Sequence, residues 1–350
     1  MTSRERVLAA FAHEEPDCVP RWCGAAPEFL VKARSRLNLP DTESVFVRFG
    51  DDFRRVFARS CAPDFPLSPG ATSRTIIGVE RAGYGYGQPL AHLLAHAALH
   101  QIHDYPWPDP NWQDVSRIRD EAQAWNRHYA ILGGDWSPFW HDAIDLLGME
   151  SLCLKMYDAP EVVDAVLQHL VDYYAVVSQR IFDAAADALD VFFIGNDFGS
   201  QNGPLLSPAQ FDRFILPHLT RLIDLGHAYR LKVQLHCCGG FEPLIPALIA
   251  AGLDGLHAIQ PRCRGMDLAT LKARYGGAIL FNGCIDSHHV LIRGTIESVC
   301  QQTREVLRIM APCGGYIAGA SHDYILEETP VENVVAMFDT VSEFGVYGKV

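Results

Sequence analysis

The feature that most limits how this chain can fold is an alternation in its second half. Short, continuously apolar runs give way repeatedly to stretches with helical periodicity. "ALDVFFIGND" (188–197), "KVQLHCCGG" (232–240), "GLHAIQP" (255–261), "AILFNGCID" (278–286) and "GGYIAGASH" (314–322) read as strands. Helical stretches separate them: "SPAQFDRFILPHLTRLIDLGHAYR" (207–230), "FEPLIPALIAAG", "MDLATLKARYG" and "TIESVCQQTREVLRIMAP", with a last helix from about 330. Ser207 is placed to cap the first of these and Pro208 to occupy its first position. Strands that are apolar throughout, joined by helices, imply a parallel sheet covered by helices. In the first half, 16–24, 52–60 and 129–138 supply three more strand candidates, the last followed by a helix through "AIDLLGMESLCLKMYD". Eight candidates predict an α/β chain forming a single (β/α)8 TIM barrel over 1–350. Residues 61–128, rich in Pro, Gly and aromatics, are too long for a plain connection and are expected to fold over one barrel mouth as a lid. Within them "GYGYG" (83–87) reads as a glycine-rich turn, since it lacks the lysine of a phosphate loop.

Composition narrows the function classes. The 350 residues are 49% hydrophobic and 20% charged, which suits a large core. The net charge is -13 and no Lys/Arg-rich run occurs, so a nucleic-acid partner is not expected. No apolar run reaches the roughly 18 residues of a membrane span, and the charged N-terminal stretch does not read as a signal peptide. A cytoplasmic location is the expectation. Ten cysteines without such a signal argue against a disulfide framework. Cys18, Cys61, Cys153, Cys263 and Cys300 read as residues without chemistry.

In a barrel the chemistry sits at the C-terminal ends of the strands. Those ends carry Asn196-Asp197, His236-Cys237-Cys238, Gln260, Cys284-Ile285-Asp286 and Ser321-His322-Asp323. Side chains in a strand alternate faces. Val233, Leu235 and Cys237 therefore share an apolar face directed at the helices. Gln234, His236 and Cys238 share a polar face directed into the barrel mouth. His236 and Cys238 can then hold one ion, and thiolate with imidazole suits Zn²⁺. Candidates for a third ligand are His322, Cys284 and Cys313. The competing reading of His-x-Cys is a packed histidine beside an inert thiol. Asp197 and Asp286 are either catalytic or backbone-capping carboxylates. Gln201 and Gln260 are candidate cofactor contacts, and His288-His289 reads as a solvated helix start.

The motifs "PDCVPRW", "YPWPDPNW" (105–112), "NDFGSQNGPLLSP" (196–208), "LHCCGG", "FNGCID", "GGYIAGASH" and "ETPVENVVAMFD" (328–339) occur in an order that resembles the uroporphyrinogen decarboxylase-like superfamily. The likeness covers nearly the whole chain and implies a (β/α)8 barrel. The superfamily contains true decarboxylases, and zinc-dependent methyltransferases that move a methyl group between a corrinoid and a thiol or similar acceptor. True decarboxylases carry an arginine-rich loop after the first strand, which grips a porphyrinogen's carboxylates. Here that loop reads Cys23-Gly24-Ala25-Ala26-Pro27-Glu28, without arginine. His322 matches an active-site histidine of the decarboxylases. His236 and Cys238 match two zinc ligands of the methyltransferases, whose late cysteine ligand is replaced by His322 or by Cys313 upstream.

The resemblance therefore implies a methyltransferase using Zn²⁺ and a corrinoid (cobalamin) methyl carrier, with Asp197, Asp286 and His322 as catalytic candidates. Alternatives are an authentic uroporphyrinogen decarboxylase, and a corrinoid- or tetrapyrrole-binding module without turnover. The expected partners are a small-molecule substrate and a corrinoid protein, with a second copy of the chain as the candidate for a homodimer.

Overall fold

A computed structural model describes residues 1–83 and 87–348. The three central residues of "GYGYG", Tyr84, Gly85 and Tyr86, lie outside the described residues. All eight candidate strands form: β1 (Arg21–Trp22), β2 (Phe53–Arg55), β3 (Ala130–Gly133), β4 (Val191–Gly195), β5 (Lys232–His236), β6 (Gly255–Ile259), β7 (Leu280–Ile285) and β8 (Tyr316–Ala320). They make one sheet in the order β1-β8-β7-β6-β5-β4-β3-β2, with every pairing parallel. The result is a nearly closed (β/α)8 TIM barrel.

The seam of the sheet is bridged chiefly by two adjacent carboxylates, Asp52 and Asp51, the latter accepting from Cys23 N–H (3.0 Å). β1 and β2 do not pair as strands. Asp52 N–H instead donates to Arg21 O (3.0 Å), while the Asp52 carboxylate accepts from Arg21 N–H (2.7 Å) and from the Arg6 guanidinium (2.7 Å). Asp52 is buried. Arg6 sits on the helix Ser3–Phe11, which plugs the N-terminal end of the barrel with Val7, Ala10 and Phe11. That plug packs with an interior layer of Trp22, Phe53, Leu132, Phe193, Leu280 and Ile317. A second, larger core lies between the barrel and its helices and takes the other face of each strand, including Phe192, Ile194, Val233, Leu235, Cys237 and Phe281.

Helix boundaries follow local chemistry. Ser207 accepts from Gln210 N–H (3.3 Å), with Pro208 in the first turn. The helical stretch 207–230 is two helices, Pro208–Phe214 and Leu216–Ala228. The break precedes Pro217, which lacks the N–H that a continuous helix would need there. Likewise 139–158 divides at Gly148, whose φ of 77° ends Phe139–Leu147 before Met149–Asp158 begins. The segment 61–128 carries short antiparallel strands and the helices Leu99–His103 and Ile118–Trp125. No helix among the described residues is long and apolar enough to cross a membrane.

Asp52→Ala removes one of the two carboxylates that hold the β1/β2 seam and leaves the Arg21 N–H unpaired. It should lower unfolding free energy by about 3 kcal/mol, as breaking a buried ion pair does. A urea titration should show a lower midpoint at unchanged slope.

Candidate active site at the barrel mouth

Register decides which strand ends meet. On β4 and β5, Gly195 pairs with His236. Two residues further on, Asp197 lies level with Cys238. The Cys238 N–H donates to Asp197 Oδ1 at 2.7 Å. His236 Nε2 lies 3.4 Å from the same oxygen and 3.5 Å from Cys238 Sγ. The donor atoms of Asp197, His236 and Cys238 all lie within 4.8 Å of one another. A second group, His236, His257 and Asp323, meets the same limit on the interior side.

The charge state of the first group suits a cation. Burial raises the Asp197 carboxyl, but hydrogen bonds from His141 and His236 outweigh it and hold the group well below the usual carboxylate range. Burial, reinforced by the charge of Asp197, pushes the Cys238 thiol far up. A thiol in such a place becomes a thiolate when a metal replaces its proton. Bonds of about 2.0–2.3 Å to tetrahedral zinc separate ligand atoms by about 3.3–3.7 Å. The observed 3.4 and 3.5 Å are of that size. The donors present therefore fit a zinc ion.

The group opens onto a cavity of about 490 Å³. Its wall is built by β3 and the helix after it. Gly195 has no side chain because the Trp136 ring occupies that space; a Cβ there would lie 1.9 Å from the indole. Trp136 then packs 4.9 Å from Phe193 and 5.4 Å from His236. Asn196 is spent on structure: its amide holds Trp140 N–H (2.9 Å) and Ser137 O (3.0 Å) at the start of Phe139–Leu147. That helix brings His141 Nε2 to 3.4 Å from Asp197 Oδ2, and aims Asp142 and Asp145 at the cavity. Tyr174 donates its hydroxyl to Asp142. Arg81 and Gln88, from the segment 61–128, line the opposite side, and Arg81 pairs with Asp145.

The other sequence candidates are distributed differently. Cys237 is fully buried in the outer core, and its sulfur accepts from Phe198 N–H at 3.3 Å. His322 lines the cavity but lies outside the cluster of donors; its Nδ1 accepts from Tyr324 N–H (3.2 Å). Asp197 stands where a third ligand was expected. Cys284 is not available as a ligand. Alternation places it inward with Leu280 and Asn282, but left-handed residues at Gly283 (φ 108°) and Cys284 (φ 73°) turn it into the outer core. Cys313 is exposed at the N-terminal end of β8, where its N–H donates to Glu15 beside the plug helix. It is at the wrong end of the barrel. Asp286 caps the following helical turn, accepting from His288 and His289 N–H (2.9 and 2.8 Å), and pairs with Arg262 (2.5 Å). His289 is therefore tied to Asp286 as well as to solvent (3.1 Å). Gln201, Gln260 and Asp286 line a neighbouring cavity that shares His322. Gln260 accepts there from Gly239 N–H (3.1 Å), which braces the turn after Cys238.

Sequence reading missed His141, Asp142, Asp145 and Trp136. They lie in the loop and helix after β3, where nothing in the periodicity separates a cavity residue from an amphipathic one.

A family profile described as uroporphyrinogen decarboxylase (URO-D) matches residues 113–344. The chain belongs to the URO-D family. Among curated relatives, the uroporphyrinogen decarboxylase of Syntrophotalea carbinolica is 27% identical over 194 residues, 54% of this chain and 52% of that protein. That of Pelobacter propionicus is 27% identical over 187 residues, 53% and 50% of the two chains. The chain thus spans about half the length of the curated relatives it matches. A solved methyltransferase from Methanosarcina mazei superposes with a TM-score of 0.68 at 18% identity, covering 98% of this chain and 99% of the other. At that identity the likeness bears on the fold alone, which the two chains share over nearly their whole length.

Two predictions follow from the geometry. Cys238→Ser should lose most bound zinc and Asp197→Ala a large part of it, while Cys237→Ser keeps the metal; elemental analysis after dialysis checks this. Zinc retained by Cys238→Ser and lost by Cys237→Ser would mean a register shifted by one residue.

The second concerns Asp142. Burial raises its pKa from 3.8 to about 7, opposed by the Tyr174 hydroxyl and reinforced by Asp145. The folded protein therefore keeps a proton that the unfolded chain releases at lower pH. That contribution is complete below the unfolded value of 3.8 and is lost as pH rises through about 7. Asp142→Asn should accordingly gain stability relative to wild type between those limits, seen as a pH-dependent difference in melting temperature.

Proposed function

We propose that this protein is a zinc-dependent methyltransferase, moving a methyl group between a corrinoid carrier and a thiol or an O- or N-methyl substrate. The observation that carries the reading is the Asp197–His236–Cys238 donor group facing a cavity at the C-terminal mouth. Bound zinc would supply a Lewis acid that favours the deprotonated form of a thiol substrate. Asp197 and Cys238 would supply the anionic donors and His236 a neutral one. Trp136, Pro138 and Ile144 line the same cavity and limit its water. In the thiol direction, the methyl carbon exchanges its bond to the carrier for a bond to sulfur. The bonding pair stays on the carrier and the thiol proton is released. On this reading the segment 61–128 is a lid, with Arg81–Asp145 as its contact with the wall.

The second reading is uroporphyrinogen decarboxylase, favoured by the names of the curated relatives. The charges around the mouth weigh against it. The loop 23–28 has no arginine, Arg54 is taken up by Glu43 and Asp51, and Arg21 reaches Ser342. Asp142, Asp145, Asp197 and Asp323 line the cavity, where Arg81 pairs with Asp145 and Arg55 lies 3.8 Å from Asp323. The arginines at the mouth thus face carboxylates of the chain itself, which compete with those of a substrate.

The zinc-loaded protein should demethylate methylcobalamin in the presence of a panel of thiols, read by absorbance, and Cys238→Ser should lower the rate at least about 100-fold, as loss of a metal-activating ligand implies. Silence with every thiol, together with conversion of uroporphyrinogen to its four-carboxylate product at an enzymatic rate, would replace this reading with the second.

A further inference from the structure

We propose that His257 is a positioning residue that orients His236, accepting the His236 Nδ1–H so that Nε2, which faces Asp197 and Cys238, is the nitrogen left to exchange its proton for a cation. This rests on the reading of those three residues as a metal site.

The two rings meet through their Nδ1 atoms, 3.1 Å apart. One of these nitrogens must therefore donate and the other accept. His257 has no exposure and lies among aromatic rings, 4.5 Å from Trp22 and 5.2 Å from Phe193 by centroid. Full burial among aromatic rings disfavours its charged form, so the ring carries one N–H. His236 differs: its Nε2 faces Cys238 Sγ and an Asp197 oxygen. A proton on His236 Nδ1 leaves Nε2 open to a cation shared with those two donors. The reverse polarity would put N–H where the cation belongs.

The far side of His257 is compatible with this polarity. Its Nε2 has no protein partner. Its register partner on β7 is Asn282, fully buried, with neither amide atom bonded to protein. Gln234, two residues before His236, is in the same state. Buried polar atoms of this kind are met by each other or by ordered water. The interior beneath the mouth thus holds amide groups able to receive the His257 Nε2–H.

The backbone also spends strain at this point. Ala258 has φ 66° and the β6/β7 register shifts between His257 and Ile259. A left-handed backbone is unfavourable for a non-glycine residue. The irregularity turns Ile259 out into the helix-side core while His257 stays inside. Without it the strand would continue its alternation directly beneath the site.

The test has two arms. In metal-free protein with 15N-labelled histidine, long-range 1H–15N NMR should show His236 Nδ1 protonated and His257 Nδ1 unprotonated. The opposite assignment overturns the proposal whatever the metal does. In the second arm, Zn²⁺ or Co²⁺ affinity is measured by chelator competition, with thermal melts confirming the fold. His257→Phe should weaken binding about 10–100-fold, the usual effect of losing a hydrogen-bond partner behind a ligand. His257→Asn, whose amide lies near the lost Nδ1, should restore most of it, and His257→Gln should not. Equal effects of Phe and Asn, or no effect of either, would also overturn the proposal. Absence of metal binding in wild type would instead remove the metal reading, leaving the NMR assignment to decide the role of His257.

Discussion

In a closed parallel barrel each strand must divide its side chains between a narrow interior and a helix-covered exterior, and every strand ends at the same rim. The rest of this structure depends on that division. On β5 it sends Val233, Leu235 and Cys237 to the outer core and leaves Gln234, His236 and Cys238 for the interior and the mouth. Parallel register with β4 then sets Asp197 beside Cys238, where one hydrogen bond of 2.7 Å joins the two strand ends. The donor group follows from two adjacent strands ending at the same height. No special loop is needed.

Around that point the molecule combines rigid and strained parts. The seam residue Asp52 and the plug helix close the N-terminal end without contributing to the mouth. At the other end, β6 and β7 both depart from regular strand geometry, at Ala258 and at Gly283–Cys284. Those departures decide which side chains stay inside. His257 remains behind His236, and Cys284 is removed to the outer core. Strain of this kind persists where surrounding packing over-determines it, and it gathers at functional sites.

The cavity wall separates two chemistries that one family fold can host. A porphyrinogen needs a ring of cations, while a metal needs anionic and soft donors gathered at one point. Here Arg54 is taken up by Glu43 and Asp51, Arg21 reaches Ser342, and Arg55 and Arg81 face Asp323 and Asp145 at the mouth. Family membership leaves both chemistries open.

The sequence by itself determined the number and place of the eight strands, because continuous apolar runs and helical periodicity are local signals. It also determined which of the two adjacent cysteines faces the mouth, since alternation along a regular strand such as β5 needs no tertiary information. Tertiary structure alone decided the third member of the donor group. Asp197 joins His236 and Cys238 through the β4/β5 register, a relation between residues some forty positions apart. It likewise decided against Cys284, because a left-handed turn of two residues reverses the face that alternation assigns. Cys313 fell away because it precedes β8 and so lies at the opposite rim. His141 and Asp142 carried no local signal, because a helix residue becomes a cavity residue only once the strand before it is placed. Local periodicity records which face a side chain leaves from; closure of the barrel decides what it meets there.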